Sequence, residues 1–213
     1  MDTIRPRNLG LFYDTETTGF PIFEKPSSDP RQPHIVQLGA LLVDMDSREI
    51  LDGLDVIVRP DGWEIPPQAS DVHGISTEYA LEHGIPERDA IEMLLGMWRM
   101  APTLQRLGFN ESFDARILRI GLFRHHDELT ADAWKAGAAH DVMKFVSPIC
   151  RLPATQAMVR AGRGKQFKSP KLTEAHEHFF GEPLKGAHSA LIDAAATMRI
   201  HFHVEDLAQL EAA

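Results

Sequence analysis

The chain has 213 residues, of which 43% are hydrophobic and 25% are charged. This length and composition exclude an intrinsically disordered protein and predict one folded domain over residues 1–213. The formal net charge of −9 argues against a protein that coats nucleic acid with a basic surface. A negative net charge is compatible with an enzyme that binds only the end of a nucleic-acid strand and holds divalent cations with carboxylates.

Three features predict a cytoplasmic location without a membrane partner. No apolar run approaches the roughly 18 residues that a membrane span requires. The first residues, from Met1 to Arg7, lack the apolar core of a signal peptide. Cys150 is the only cysteine, which excludes an internal disulfide and predicts a small buried side chain rather than a nucleophile.

The first part of the chain predicts three strands. The apolar run at residues 9–13 is typical of a buried strand, and the glycine and prolines of residues 18–33 predict a loop. Residues 34–44 and 54–58 predict two further strands, antiparallel to each other across a turn near Asp46.

Helical patterns dominate the rest of the chain. Helix-start residues and apolar positions at three- and four-residue spacing predict helices at residues 69–78, 86–100, 112–124, 152–161, 172–180 and 190–210. The last helix has a predicted break near His203. Short apolar runs predict further strands at residues 104–109 and 139–143. This order indicates an α/β fold with a mixed five-stranded sheet flanked by helices.

One segment has a local excess of positive charge. Residues 160–171 contain two glycines and five cationic side chains, which are Arg160, Arg163, Lys165, Lys168 and Lys171. Two interpretations stay open, a solvated loop and a flexible basic arm over a nucleic-acid backbone.

Two carboxylates follow the first predicted strand. Asp14 and Glu16 are two residues apart, so on a strand both side chains point to the same face. Neighbouring carboxylates repel each other, and a hard cation such as Mg²⁺ would relieve that repulsion. Taken alone, an Asp-x-Glu pair is more often two solvated acids.

A third carboxylate lies at a predicted strand-to-helix junction. Asp114 falls in the first turn of a helix for which Asn110 or Ser112 is the predicted cap. Alone, this position indicates only that the carboxylate complements the helix dipole.

The last predicted helix begins with a similar arrangement. Ser189 is the predicted cap, Asp193 falls in the first turn, and His188 lies just before the helix. On one continuous helix, residues five apart would not share a face. With His188 on the preceding loop, its side chain and that of Asp193 can converge on one site.

The three motifs occur together in this order. Asp-x-Glu on strand one, Asn-x-x-Phe-Asp at a strand-to-helix junction and His-x-Ala-x-x-Asp at the last helix resemble the motifs of the DEDDh family. This family of 3′–5′ exonucleases includes the proofreading epsilon subunit of bacterial DNA polymerase III. The resemblance covers about residues 8–205, with further matches at residues 35–40 and 72–75. Phe109 and Gln37 stand where many relatives have His and Glu.

The resemblance implies an RNase H-like fold and a two-cation mechanism with Mg²⁺ or Mn²⁺. By that match, Asp14 bridges both cations, Glu16 and Asp193 complete the first site, and Asp114 helps to hold the second. His188 takes the proton from the attacking water, a role that suits an imidazole. The implied reaction hydrolyses phosphodiester bonds at a 3′ end and releases nucleoside 5′-monophosphates.

The resemblance also implies a pocket for the 3′-terminal nucleotide. The expected substrate contacts are Thr15, Thr17, His73, Asn110 and Phe113. Two of them have a plainer interpretation, since Phe113 equally suits the core and Asn110 equally suits a helix cap. We expect Asp141, near the end of the fifth strand, to support the structure rather than to bind metal.

Substrate and context stay open. The run Thr17-Thr18-Gly19 favours DNA over RNA, because oligoribonucleases of this group carry Met-Thr-Gly there. The alternatives are an exoribonuclease and, less favoured, a non-catalytic nucleic-acid-binding module. Expected partners are single-stranded DNA or the 3′ ends of duplex DNA. A homodimer, a polymerase partner in trans, and roles in proofreading, repair or trimming are left open.

Overall fold

The computed structural model describes residues 7–100 and 104–212. The first six residues, considered above for a signal peptide, lie outside the described part. Five strands form one sheet in the order β3-β2-β1-β4-β5. Their bounds are β1 Leu9–Thr17, β2 Ile35–Asp44, β3 Ile50–Ile57, β4 Gln105–Gly108 and β5 Ala139–Asp141. The pairs β1–β2 and β2–β3 are antiparallel, while β1–β4 and β4–β5 are parallel, so the predicted mixed five-stranded sheet is confirmed.

Nine helices occur within the described residues. They are α1 Pro67–His73, α2 Thr77–His83, α3 Glu87–Trp98, α4 Glu111–His125, α5 Glu128–Ala136, α6 Val142–Cys150, α7 Gln156–Arg160, α8 Leu172–Phe180 and α9 Ala190–Ala212. Among these helices, none combines the length and the hydropathy that crossing a membrane would take.

Side chains alternate between the two faces of a strand, and β1 shows which helices cover each face. Tyr13 belongs to a buried core that also contains Ile91 of α3 and Ile117 of α4. Phe12 belongs to a second buried core with Ile200 of α9. The helices α3 and α4 therefore cover one face of the sheet and α9 covers the other.

The prediction of one helix over residues 69–78 is wrong. The first helix ends at Gly74, whose φ of 75° lies in the left-handed region. Glycine adopts this conformation at little cost, because it has no Cβ. The second helix starts after Ser76, whose side chain accepts a hydrogen bond from the backbone N–H of Tyr79.

The prediction for residues 139–161 is also partly wrong. The fifth strand ends at Asp141, which caps α6 by accepting a hydrogen bond from the backbone N–H of Lys144. The apolar run that continues past Asp141 belongs to this helix, and periodicity does not separate the two cases over so short a run. Cys150 is buried in α6, as predicted for a lone cysteine. The helix predicted over residues 152–161 is confined to α7, and α5 was not predicted.

The final helix continues through the predicted break near His203. The ring of His203 packs against Phe179 and Phe180 of α8, at centroid distances of 5.7 and 5.2 Å. This tertiary contact holds the helix together at a residue that has only moderate helix propensity.

Candidate active site

The first two predicted carboxylates lie at the end of β1. This strand continues beyond the predicted residues 9–13, because Glu16 pairs with Gln37 of β2 before the register shifts at Thr17. Asp14 and Glu16 lie two and four residues after Phe12 on this strand, so their side chains are on the same face as Phe12, which α9 covers. Both carboxylates therefore lie beneath the start of the last helix.

The start of α9 brings His188 and Asp193 to the same place. Asp193 lies in the first turn of the helix and is only 8% exposed, whereas His188 is exposed on the preceding loop. The φ of His188 is 66°, and its backbone N–H donates to Oδ2 of Asp193 at 3.2 Å. One ligand atom each from Glu16, His188 and Asp193 lie within 4.8 Å of one another. The loop-plus-helix arrangement predicted for His188 and Asp193 is thus the one observed.

Asp114 reaches the site from the opposite face of the sheet. It lies in the first turn of α4 and is 3% exposed. Its Oδ1 accepts a hydrogen bond from the backbone N–H of Thr15 at 3.0 Å and another from the Thr15 hydroxyl at 2.6 Å. Thr15 was predicted to contact substrate, and its hydroxyl is used to hold Asp114.

Burial raises the pKa values of all four carboxylates, and repulsion by neighbouring carboxylates adds to this for Asp14, Glu16 and Asp114. The pKa of Asp14 rises well above its usual value, through burial first and then the charges of Asp114, Asp193 and Glu16. Burial, followed by Asp193, raises the pKa of Glu16 to about 7. Burial also raises the pKa of Asp114 to about 8, against the hydrogen bonds from Thr15, and burial raises the pKa of Asp193.

The residues fit a divalent cation. Oδ1 of Asp193 is buried and has no hydrogen-bond partner among the described residues, although a buried carboxylate oxygen normally has one. Hard cations prefer such oxygen ligands, and a cation would offset both the burial of the charged carboxylates and their mutual repulsion. The acidic cluster is defined here as Asp14, Glu16, Asp114 and Asp193, with His188 at its edge.

A cavity of about 390 Å³ adjoins the acidic cluster. Four of the five predicted substrate contacts line it, namely Thr15, Thr17, His73 and Phe113. Nδ1 of His73 accepts a hydrogen bond from the backbone N–H of Ile75 at 3.1 Å, and its buried Nε2 has no partner among the described residues. Burial lowers the pKa of His73, the backbone of Thr17 acts in the opposite direction, and the charge of His188 lowers the pKa further.

Asn110 does not line this cavity. It occupies the N-cap position of α4 with a left-handed φ of 68°, and its side chain makes no capping hydrogen bond. Asn110, one of the two predicted caps, is thus the N-cap residue by position, but the expected side-chain hydrogen bond is absent, and Ser112 lies inside the helix. The backbone N–H of Asn110 instead donates to Oδ1 of Asp141 at 3.2 Å, so Asp141 has a supporting position in the structure.

Phe20 also lines the cavity, although it was not among the predicted substrate contacts. Its side chain is 81% exposed, and its ring meets Phe113 edge-on at a centroid distance of 5.9 Å. The available signal was its position directly after Gly19 in the first motif. A large aromatic side chain that stays exposed at the mouth of a cavity is suited to contact a ligand.

The fold and the acidic cluster together fit an enzyme of the exonuclease class. A family model described as Exonuclease (RNase_T) matches residues 11–201. Because this match covers most of the sequence, the chain belongs to that exonuclease family. No curated protein matches the chain significantly.

Solved structures of exonuclease I share the fold. The zinc-bound Escherichia coli exonuclease I complex with single-stranded DNA has 19% sequence identity and a TM-score of 0.71, over 94% of this chain and 41% of that chain. The E. coli enzyme with a dT13 oligonucleotide has 20% identity and a TM-score of 0.71, over 92% and 40%. A product-bound exonuclease I has 20% identity and a TM-score of 0.70, over 94% and 44%. This chain thus spans less than half the length of exonuclease I.

Proposed function

We propose that the protein removes nucleotides one at a time from the 3′ end of single-stranded DNA and releases nucleoside 5′-monophosphates. The observation that carries this proposal is the convergence of Glu16, His188 and Asp193 within 4.8 Å, beside a cavity of about 390 Å³. Asp14 lies close enough to Asp114, Asp193 and Glu16 for their charges to raise its pKa, which places it in the same cluster. This combination suits hydrolysis at a strand end that enters the cavity.

Two divalent cations, Mg²⁺ or Mn²⁺, are the proposed cofactors. Asp14, Glu16 and Asp193 would hold one, while Asp14 and Asp114 would hold the other. When bound, such a pair stabilises the charge on the attacking and leaving oxygens of the phosphoryl group. Thr15 supports this arrangement, because its two hydrogen bonds fix the orientation of the Asp114 carboxylate.

His188 is the proposed general base. Its ring is exposed, and it adjoins Glu16 and Asp193 at the edge of the acidic cluster. It would accept a proton from the water whose oxygen forms the new bond to phosphorus. The bond that breaks joins phosphorus to O3′ of the penultimate nucleotide, and O3′ takes a proton from solvent water as it leaves. The terminal nucleotide then carries the phosphate as a 5′-monophosphate.

The cavity is the proposed site for the terminal nucleotide. Phe113 and Phe20 form an aromatic wall, and Ala69 and Val72 add apolar surface. His73 offers an Nε2 atom without a partner among the described residues. Apolar walls with a few polar groups are typical of small-molecule and nucleotide sites. Asn110 would act from outside this cavity, next to Asp141.

DNA is the proposed substrate class. Thr17-Thr18-Gly19 favours it, and exonuclease I, which has the same fold, has been seen with single-stranded DNA. This comparison concerns a longer chain, so the preference for single strands is part of the proposal for this one.

The basic turn, defined as residues 160–171, is the proposed contact for the strand backbone away from the active site. Its backbone is not an extended arm, since Arg163 N–H donates to Met158 O at 2.8 Å and Lys168 N–H donates to Leu152 O at 3.1 Å. Arg160, Arg163 and Lys165 are exposed, and Phe167 is 53% exposed. Cations interleaved with an exposed aromatic ring suit a single-stranded polyanion.

A substrate comparison tests the proposal. Oligonucleotides of one sequence, as single-stranded DNA, duplex DNA and RNA, would be incubated with Mg²⁺ or Mn²⁺, and the released products identified by chromatography. We expect nucleoside 5′-monophosphates from all reactive substrates, with single-stranded DNA fastest. Release of 3′-monophosphates or of internal fragments would contradict the proposed chemistry. Faster turnover of RNA than of DNA would show that RNA is the preferred substrate.

A further inference from the structure

The side chain of Gln37 joins the second strand to the start of the last helix. It lies on β2 opposite Glu16 and is 7% exposed. Its Oε1 accepts a hydrogen bond from the backbone N–H of Ala190, the first residue of α9, at 3.1 Å. Its Nε2 donates to Oδ1 of Asp55 on β3 at 2.8 Å. One amide thus connects β3, β2 and α9.

The strand and the helix also meet at their backbones. A Cβ at Gly39 would lie 2.2 Å from the backbone nitrogen of Leu191, so only glycine allows this approach. The first turn of α9 therefore contacts β2 at two points, which are the side-chain amide of Gln37 and the backbone of Gly39. The same turn carries Asp193, and His188 lies two residues before the helix begins.

Only an amide side chain satisfies both partners of Gln37. The N–H of Ala190 needs an acceptor, because the first N–H groups of a helix have no partner within it. The carboxylate of Asp55 needs a donor. A glutamate at position 37 would accept from Ala190, but it would have no proton for Asp55 and would repel it. Gln37 and Asp55 are therefore matched to each other.

We propose that Gln37, supported by Asp55, is a positioning residue that sets the start of α9, and with it His188 and Asp193, against Glu16. This inference rests on the proposed nuclease function and adds to it a determinant of rate outside the acidic cluster. Because Gln37 does not line the substrate cavity, its loss should lower kcat more than it raises KM.

Five variants test the pairing, three single and two double. Gln37→Glu removes the donor and adds a charge, while Gln37→Met removes both hydrogen bonds without adding a charge. Each should lower kcat on single-stranded DNA by roughly 10- to 100-fold, the usual effect of losing a residue that orients a metal-binding group. Asp55→Asn alone should stay near the parent, because its amide carbonyl still accepts from Gln37.

The double variant Gln37→Glu with Asp55→Asn is the decisive one. The amide introduced by Asp55→Asn would donate to the carboxylate introduced by Gln37→Glu, and that carboxylate would still accept from Ala190. The value of kcat should therefore recover at least roughly tenfold relative to Gln37→Glu alone. Asp55→Asn should not rescue Gln37→Met, which separates hydrogen bonding from the change in net charge.

Thermal unfolding of all variants identifies any loss of folding. Parent-level kcat in both Gln37→Glu and Gln37→Met would overturn the inference. Recovery of stability without recovery of kcat in the double variant would also overturn it, since the pair would then be merely structural. Failure of the parent protein to shorten the strand would instead remove the proposed function.

Discussion

Asp114 and Thr15 join the two faces of the sheet at the active site. Asp114 begins α4 on one face, and both the backbone N–H and the hydroxyl of Thr15 donate to its Oδ1. Asp14 and Glu16, on either side of Thr15, point to the other face, where α9 brings Asp193. The direction of the side chains alternates along Asp14, Thr15 and Glu16 of β1. The carboxylates of Asp114 from α4 and of Asp193 from α9 therefore meet those of β1 at one edge of the sheet.

The first prediction concerns the Thr15 hydroxyl. Thr15→Val keeps the shape of the side chain and removes one of the two donors to Asp114. We expect kcat to fall roughly tenfold and the free energy of unfolding to fall by about 1.5 kcal/mol or more. Steady-state kinetics and denaturant unfolding measure both effects. Thr15→Ser keeps the hydroxyl and should stay near the parent, so equal behaviour of the Val and Ser variants would refute the role of this hydrogen bond.

The second prediction separates stability from activity at Asp14. Since its pKa in the folded, metal-free protein is raised, folding carries a cost that grows as pH rises above the ordinary aspartate range. Asp14→Asn removes that cost. We expect a higher Tm than that of the parent in EDTA, with a larger gain at pH 8 than at pH 5, and activity reduced to background.

A matched control for Asp14→Asn is Asp52→Asn, because Asp52 is an exposed carboxylate on β3. It should leave both Tm and activity near the parent values. A lower Tm for Asp14→Asn than for the parent in EDTA at pH 8 would show that Asp14 stabilises the fold, contrary to the repulsion described for the acidic cluster.

The third prediction concerns the pH dependence of cation binding. Glu16 with a pKa of about 7 and Asp114 with a pKa of about 8 hold protons in the metal-free protein at mildly acidic pH. Protons and cations therefore compete for the cluster, and cation binding should strengthen as pH rises from 6 to 8. A cation at 100 times its Kd adds about 2.7 kcal/mol to the free energy of unfolding.

Thermal unfolding with and without Mn²⁺ at several pH values measures this competition. The shift in Tm should increase with pH and should be absent in Asp14→Asn. An equal shift at every pH between 6 and 8 would mean that the carboxylates bind no protons in that range, and the raised pKa values would be wrong.

The fourth prediction concerns the basic turn. Arg160→Gln, Arg163→Gln and Lys165→Gln together should raise KM for a long single-stranded DNA. They should also reduce the slope of log KM against log salt concentration by about 2, at roughly 0.7 per lost phosphate contact. Hydrolysis of the p-nitrophenyl ester of thymidine 5′-monophosphate should not change, because this small substrate reaches only the active site.

Arg99→Gln with Lys135→Gln is the control for the basic turn. Both cations are exposed and lie near α3 and α5, whereas the basic turn leads into α8, which packs on α9. An equal effect of the control and the triple variant on the salt slope would indicate a general charge effect. An unchanged slope of log KM against log salt concentration in the triple variant would show that the basic turn does not contact the DNA.

The sequence predicts the site better than it predicts the elements around it. Asp14 and Glu16 share a face because alternation in a strand is local geometry, and His188 and Asp193 converge because a helix starts between them. Neither inference needs knowledge of distant contacts. The fold class could be predicted for the same reason, since the order of strands and helices limits the topology.

The errors lie where a distant residue decides the local structure. Asn110 adopts a left-handed conformation while its backbone is held by Asp141, so its side chain does not cap α4. The hydrogen bond from the Thr15 hydroxyl to Asp114, which is 99 residues away in the chain, was likewise not predicted, although Thr15 does line the cavity. Phe20 remains exposed beside Phe113, and only the packed structure shows that pair. Such contacts are tertiary and leave no periodic signal in the sequence.

The most direct test of the acidic cluster is the shortening of a 5′-labelled single-stranded DNA in Mg²⁺, followed on a sequencing gel for the parent protein and for Asp14→Asn. We expect a ladder that shortens by single nucleotides from the 3′ end with the parent, and no shortening in EDTA or with Asp14→Asn. An Asp14→Asn ladder as fast as that of the parent, or a parent ladder that persists in EDTA, would contradict the assignment of this cluster as the metal-binding active site.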